Sequence, residues 1–389
     1  MTAYLDNNAT TRPLPEVIDA VRAALSDHWH NPSSVHRPGQ AARHAVELAR
    51  ADLARLLNAK PAEIVFTSGA SESVALAIRG SLRPAHATPR TIVTTPIEHE
   101  CARETISDLE RRGVARCVTL PIGPDGAVKP EDAARLISPE TALVSVMWAN
   151  NETGVIQPVQ AIGRLCRDRG IPFHTDAAQV AGRLPIDLSD ANDWCDLLSL
   201  SAHKFHGPKG VGALWIRRGV AIIPQTPGTQ EKSRRGGTEN VPGILGMGVA
   251  VTIAHEWIEN ANDAARIAAL RDRFENELTR LVPGARINAH HSPRLFNTTS
   301  IAFPGLEAEA LLLLLSERAV CASAGAACSS GSLDPSPVLL AMGLEEPVAH
   351  GTLRFSLSRH TTEAEIEHAL GVIPLCVTRL RGSATSVRA

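Results

Sequence analysis

Short apolar runs alternate with stretches of helical periodicity from about residue 14 to residue 220, and no other feature constrains the fold as much. Glu63–Thr67, Thr91–Thr95, Ala142–Trp148, Ile171–Thr175, Leu197–Leu200 and Gly210–Ile216 read as strands, several of them apolar along their whole length. Pro13–Leu25 and Ala41–Leu57 carry apolar residues at helical spacing. Strands of this kind with helices between them predict an α/β fold, a mostly parallel sheet covered on both faces. In such sheets ligands sit beyond the C-terminal ends of the strands. The polar residues that stand out are Ser68 to Ser71, His99, Asn151, Asp176 and Lys204, and each follows a strand. Chain order alone therefore predicts one shared site.

Past residue 220 the pattern changes. Gln225–Asn240 is polar and Gly-rich and reads as a loop. A long helical stretch covers about Val241–Leu281, with Asn260 as a candidate break. Thr298–Phe303 and Thr352–Ser356 read as strands, Glu307–Ser316 as a helix, and a last helix starts at Thr362. Gly382–Ala389 reads as a frayed tail. These elements predict a smaller α+β domain. A chain of 389 residues is long enough for two domains. The expected division is a large domain over residues 14–258 and a small one built from residues 1–13 and 259–389.

The bulk composition narrows the function. The formal net charge of −2 provides no field to draw nucleic acid or an anionic membrane. Aromatic residues make up only 3%, too few for base-stacking platforms. The aliphatic run Ala310–Leu315 falls far short of the ~20 residues a membrane span needs. Met1–Asn8 has neither the basic region nor the apolar core of a secretory signal. The seven cysteines are scattered with no Cys-x-x-Cys pair, which is neither a disulfide framework nor a zinc pattern. The expected compartment is a reducing cytoplasm.

Ser201-Ala-His-Lys-Phe-His-Gly-Pro-Lys-Gly210 is the chemically sharpest segment. A lysine at a strand end, beside a histidine and a hydroxyl, is placed for Schiff-base chemistry with pyridoxal phosphate (PLP). Lys204 is equally compatible with a solvated lysine before a Gly-Pro turn. PLP needs an amine, an anion at its pyridine nitrogen, a stacking partner and a phosphate cradle. Lys204 offers the amine and Asp176 the anion, although Asp176 also suits a helix N-cap. His99 is a candidate to stack. Ser68-Gly-Ala-Ser71 opens a helix, so its amides and hydroxyl can hold an anion. Gly207–Gly210 is not a Walker loop, because no Gly-Lys-Ser/Thr occurs there.

Cys328 sits in Ala322-Ser-Ala-Gly-Ala-Ala-Cys-Ser-Ser-Gly-Ser332, where every neighbour is small. Such a loop has little to bury and is expected to move, carrying an exposed thiol. Cys321, beside Ala319-Val320, reads as a buried strand residue. Arg354 alternates with apolar neighbours in Leu353-Arg-Phe-Ser-Leu357. It can clamp a carboxylate bidentately or serve in a structural ion pair. Arg234–Asn240 can bind phosphate through Thr238 or be a basic surface loop.

Together these segments resemble the cysteine desulfurases, fold-type I PLP enzymes of aminotransferase class V. The matching stretches are Tyr4–Thr11, Asn31–His36, Asn150–Gly154, His174–Gln179, Ser201–Lys204, Arg235–Asn240, Ala327–Gly331 and Arg354–Arg359, in family order over almost the whole chain. Val144–Gly154 and His350–Arg359 look most like the nitrogen-fixation branch, NifS. The resemblance implies that Lys204 holds PLP and moves the Cα proton. It implies Asp176 at the pyridine nitrogen, Gln179 at the ring hydroxyl, and His99 stacked on the ring. Ala70, Ser71, Ser201, His203 and a second copy's Thr238 would hold the phosphate. Asn151 and Arg354 would hold the substrate carboxylate, with Asn151 also lining the cofactor site.

Cys328 would accept sulfur from L-cysteine as a persulfide and pass it to an iron–sulfur scaffold protein, touching metal only in that transfer. A homodimer is implied too. The alternatives are a desulfurase serving general clusters or tRNA thiolation, and a class V aminotransferase of small amino acids, which would not need Cys328. Three departures from the family stand out. Ser71 replaces a usual threonine, with little effect expected; Val74 stands where many members carry a polar residue; and Cys101 lies two residues after His99, where small or apolar residues are usual. Cys101 is either silent, the favoured reading, or a second thiol near the site.

Overall fold

The computed structural model describes residues 1–82, 90–324 and 334–386, without the side chains of 383–386. Along the chain, β1 (Ala3–Tyr4) leads into α1 (Pro15–Asp27) and α2 (Arg37–Leu56). Then come β2 (Ile64–Thr67), α3 (Ala70–Ser81), β3 (Arg90–Thr94), α4 (Glu100–Arg111), β4 (Ala115–Thr119), α5 (Pro130–Leu136) and β5 (Thr141–Ser145). They are followed by α6 (Val159–Asp168), β6 (Phe173–Asp176), β7 (Leu197–Ser201), β8 (Gly212–Ile216), the single turn α7 (Gln230–Ser233) and α8 (Val241–Glu259). The remainder is α9 (Ala261–Leu281), β9 (Arg286–Ile287), β10 (Thr298–Ala302), α10 (Ala308–Ser316), β11 (Val320–Cys321) and β12 (Ser323–Ala324). The chain closes with α11 (Pro337–Ala341), α12 (Glu346–His350), β13 (Thr352–Ser356) and α13 (Glu363–Ser386).

The main sheet has the order β2-β8-β7-β6-β5-β3-β4. Strands β7, β6, β5, β3 and β4 run parallel, and β8 lies antiparallel between β7 and β2. Two reversals bring β2 back parallel to β7. The strands β2, β3, β5, β6 and β7 therefore end on one edge, and the segments after them meet there. Every residue of β5, β6, β7 and β8 is buried, as their unbroken apolar runs require. Fully burying a side chain such as Phe173 stabilises the sheet by roughly 1.5–3 kcal/mol.

A second sheet, β12-β13-β10-β9, is antiparallel, and β1 pairs with β11 beside it. Ala3 and Leu5 from the N-terminal arm share a core with Ile267, Phe274, Phe303, Leu315 and Phe355. A separate core lies under the main sheet and includes Val17, Leu53, Phe173 and Met247.

Several local outcomes differ from the sequence reading. α2 starts at Arg37, four residues early, because the His36 ring accepts the Gly39 amide at 3.1 Å and Pro38 fills the first turn. β5 stops at Ser145 rather than Trp148. β4, α5 and α6 have no counterpart in the apolar pattern. The last helix runs through Gly382 to Ser386 instead of fraying there. Cys321 is in a strand as expected but is only half-buried. The break at Asn260 is present: its side chain caps α9 at the Asn262 amide.

Helix α8 is long and apolar enough to cross a membrane, which the aliphatic-run argument does not register. Half of its apolar stretch is buried, packed on α1 and α2. It passes the test in the way a core helix does.

Candidate active site

Phosphate-cradle geometry begins at the end of β2. Thr67 Oγ1 lies 2.7 Å from Ser73 Oγ and donates to the Gly69 carbonyl at 3.1 Å, tightening the turn into α3. Gly212 of β8 lets this turn sit on the sheet, since a Cβ there would lie 2.7 Å from Gly69 Cα. Glu72 accepts the Ser68 amide at 2.7 Å and pairs with Arg235 at 2.8 Å. Burial pushes the Glu72 carboxyl up, but the bonds from Arg235 and Ser68 outweigh it and hold it below the ordinary range. The first amides of α3 thus face the sheet edge with positive dipole.

His99 caps α4, its Nδ1 accepting the Cys101 amide at 3.2 Å. Burial, then the charges of Lys204 and Arg103, lower its pKa to about 4, so the ring is neutral near pH 7. Asp176 ends β6, is 5% exposed and accepts the Ala178 amide at 2.9 Å. Burial raises its pKa to about 6, against the opposing Ala178 bond and Lys204 charge. Lys204 lies just past β7, and its Nζ donates to the carbonyls of Asn8 at 2.6 Å and Ala9 at 3.0 Å. His203 shares a hydrogen bond with Thr10 at 3.1 Å, and burial beside Lys204 lowers its pKa to about 4. Gln179 donates to the Asn8 carbonyl and accepts from Arg183.

These segments enclose a cavity of about 420 Å³. Ala70, Ser71, His99, Asn151, Asp176, Gln179, Ser201, His203 and Lys204 all line it. Arg354 and Thr238 do not. Arg354 lies behind the wall, donating to the Asn151 carbonyl at 3.0 Å and to Asp6 at 2.6 Å. Its Nε is buried without a hydrogen-bond partner, which leaves donor capacity for a carboxylate. Thr238 is exposed on the loop after α7. That loop is fixed by the buried Arg50–Glu231 pair at 2.7 Å, with Glu231, Lys232 and Ser233 all at positive φ. Cys328 lies outside the described residues.

Sequence reasoning misses other residues of this site. Lys209, Glu72 and Met147 also line the cavity, as does Cys101, whose favoured sequence reading is a silent one. Asn8 is a hub: besides accepting from Lys204 and Gln179, it donates to Thr298 at 2.9 Å and to the Asn151 carbonyl at 3.2 Å. Glu98 accepts Thr95 at 2.6 Å and the Met147 amide at 2.9 Å on Oε1, while Oε2 is buried without a partner. Burial raises Glu98 to a pKa of about 8 and Glu152 to about 7. Only the tertiary fold makes these acids buried.

Comparison with known proteins points the same way. The aminotransferase class-V family model matches residues 3–369. Cysteine desulfurase 2 of Trichormus variabilis is 45% identical over 97% of this chain and 94% of its own length. The chain belongs to the cysteine desulfurase family. Cysteine desulfurase NifS of Azotobacter vinelandii is 43% identical over 97% of this chain and 93% of its own. A solved NifS-like protein superposes with a TM-score of 0.89 at 37% identity, covering 98% of this chain and all of the other. The fold of that family, a mostly parallel sheet with a second smaller layer, is the fold described above.

The two raised carboxyls give this family member a signed pH dependence. Both pKa values stand above the ordinary 4.5, so the native state holds protons that the unfolded chain releases. Stability is full below about pH 4.5 for these groups and falls as pH rises through 7 and 8. Thermal melts between pH 7 and pH 8, above the range where the neutral His99 and His203 pull the other way, are expected to show this fall. Glu98→Gln is expected to flatten it, and a variant whose slope matches the parent would refute the assignment.

Proposed function

We propose that this enzyme takes sulfur from L-cysteine, leaves L-alanine, and carries the sulfur as a persulfide on Cys328. The observation that carries the reading is the joint placement of Lys204, Asp176, His99 and the α3 N-terminus around one cavity. This donor set fits PLP: an amine, a buried carboxyl, an imidazole, and a helix N-terminus with the Ser71 and Ser201 hydroxyls for phosphate. Bound there, PLP supplies an electron sink for the amino acid's Cα electrons.

The chain's own residues do the rest. Lys204 Nζ leaves the Asn8 and Ala9 carbonyls and takes the Cα proton. Asp176 would face the ring nitrogen, and Gln179 the ring hydroxyl. Ala70, Ser71, Ser201, His203 and a second copy's Thr238 would hold phosphate. Asn151 and Arg354 would bind the substrate carboxylate, the latter through its unpartnered Nε. His99, neutral at working pH, would lie over the ring and assist proton transfer.

Cys328 attacks the substrate sulfur. The substrate C–S bond breaks, a sulfur–sulfur bond forms, and carbon is reduced as the thiol sulfur is oxidised, so no outside oxidant is needed. Both ends of the segment holding Cys328 are anchored near Asn151. Ser323 pairs with Arg354 in the second sheet, and Ser336 Oγ donates to Glu152 Oε2 at 2.5 Å.

The same reading makes residues 14–258 the cofactor-binding unit, with 1–13 and 259–389 carrying Cys328, and two separate apolar cores support it. It also implies a cytoplasmic homodimer that hands sulfur to an iron–sulfur scaffold. The nitrogen-fixation pathway is the favoured destination, on the resemblance of Val144–Gly154 and His350–Arg359 to NifS.

The test is alanine release from L-cysteine under reductant, for the parent chain and Cys328→Ala. Stoichiometric alanine and sulfide are expected from the parent, and both are lost in the variant while bound cofactor is retained. Alanine formation that survives Cys328→Ala would remove Cys328 as the acceptor, and a parent that converts L-cysteine to its keto acid without alanine would point to a class V aminotransferase instead.

A further inference from the structure

Cys101 looks silent in the sequence, yet it touches a functional residue. Its Sγ lies 3.1 Å from His99 Nδ1. It also lines the cavity together with Ser71 of the cradle turn.

The chemistry of the donors fixes the polarity of these contacts. The Cys101 backbone amide donates to His99 Nδ1 at 3.2 Å, and an amide can only donate. Nδ1 is therefore the acceptor, and the single proton of the neutral ring sits on Nε2. A thiol 3.1 Å from the same Nδ1 must also present its hydrogen to it.

We propose that Cys101 is a positioning residue for His99: its S–H, given to Nδ1 beside the backbone amide, reinforces the tautomer that keeps a transferable proton on Nε2. This rests on the proposed part of His99 in proton transfer. The burial that pushes the thiol pKa up to about 12 keeps that hydrogen in place at every working pH. The charged and titratable groups facing the pair come from three elements. They are Lys204 beyond β7, Arg103 and Glu98 at α4, and Asp176 at the end of β6.

The sign of the effect depends on which form the donor supports. A donor on the Nδ1 lone pair favours the neutral ring, so losing it raises the His99 pKa. Cys101→Ala should raise the acid limb of the kcat profile by about one pH unit, the size a single hydrogen bond supplies. Cys101→Ser, which keeps an O–H donor, should bring the limb most of the way back.

Two measurements on the full-length, cofactor-loaded chain decide it. The kcat–pH profiles of parent, Cys101→Ala and Cys101→Ser with L-cysteine report the limb. Nitrogen-15 spectra of histidine-labelled protein, assigned with His99→Gln, report the ring's tautomer and titration directly. An upward shift in both for the alanine variant, reversed by serine, supports the proposal. An unchanged His99 titration in Cys101→Ala, or equal shifts in both variants, overturns it. A parent that makes no alanine from L-cysteine would sink the functional reading instead, and the ring titration would still judge Cys101.

Discussion

Lys204→Ala is expected to lose at least ~10²–10⁴-fold in alanine formation, the range one positioned proton-transfer group supplies. The structure supports the upper end. Lys204 Nζ is held at 2.6 and 3.0 Å by the carbonyls of Asn8 and Ala9, which fixes where the amine waits beside the cavity. Among the described residues that line the cavity, Lys209 is the one other amine. It lies five residues further on, past the Gly207-Pro208 turn, and is exposed to solvent. It is not held by the N-terminal arm and is not expected to substitute.

The change should leave the fold intact, because Lys204 is half-buried and outside both apolar cores. The measurements are single-turnover alanine formation, and mass spectrometry of cofactor retained after borohydride reduction. The parent is expected to retain it on Lys204, and the variant not at all. Partial rescue of the variant by a small primary amine would confirm that the missing function is the amine. A variant with activity near the parent's would remove Lys204 from the mechanism.

The contrast between Lys204 and its carbonyl partners shows which parts of the site a sequence reveals. Lys204, Asp176, His99 and Ser71 are legible because each comes just after a strand, and strands declare themselves as apolar runs. Asn8 is not legible by that rule. It sits on the N-terminal arm and its hydrogen-bond partners lie 143 to 348 residues away in sequence, so no local pattern marks it. Glu98 and Glu152 look like ordinary solvated acids in the sequence; only the packed fold buries them.

The same distinction runs through the fold. β7 and β13 match their apolar runs, and Asn260 breaks the long helical stretch because its amide side chain can cap α9. β5 ends before Trp148 because the chain turns there. The Asn150 side chain accepts the Glu152 and Thr153 amides at 2.9 Å and closes the loop Asn150–Gly154 that its sequence announces. Arg354 shows a mixed outcome. Its two sequence readings, carboxylate clamp and structural ion pair, are both compatible with a side chain that pairs with Asp6 and keeps one buried donor unpartnered.

Asp176→Asn carries the second large effect. In this cavity burial outweighs the Ala178 bond and the Lys204 charge and raises Asp176 to a pKa of about 6. A protonated pyridine nitrogen placed against it would favour the ionised form and draw that pKa down. Cofactor affinity and the charge on Asp176 are therefore linked, and affinity should weaken as pH falls below about 6, where the carboxyl takes up a proton. Asparagine keeps the shape and can still accept the Ala178 amide at Oδ1, but it carries no charge at any pH. Losing one partner of such a buried charge pair costs about 2–5 kcal/mol, or roughly 30- to several-thousand-fold. The loss should appear in cofactor affinity and in kcat together, because the same charge holds the ring and keeps its nitrogen protonated. It should also erase the acid-side weakening of affinity that the parent shows. Titrating cofactor into stripped parent and variant from pH 5 to pH 8 reads both effects. A variant that binds as tightly as the parent, with the same pH slope, would show that the ring nitrogen does not face Asp176.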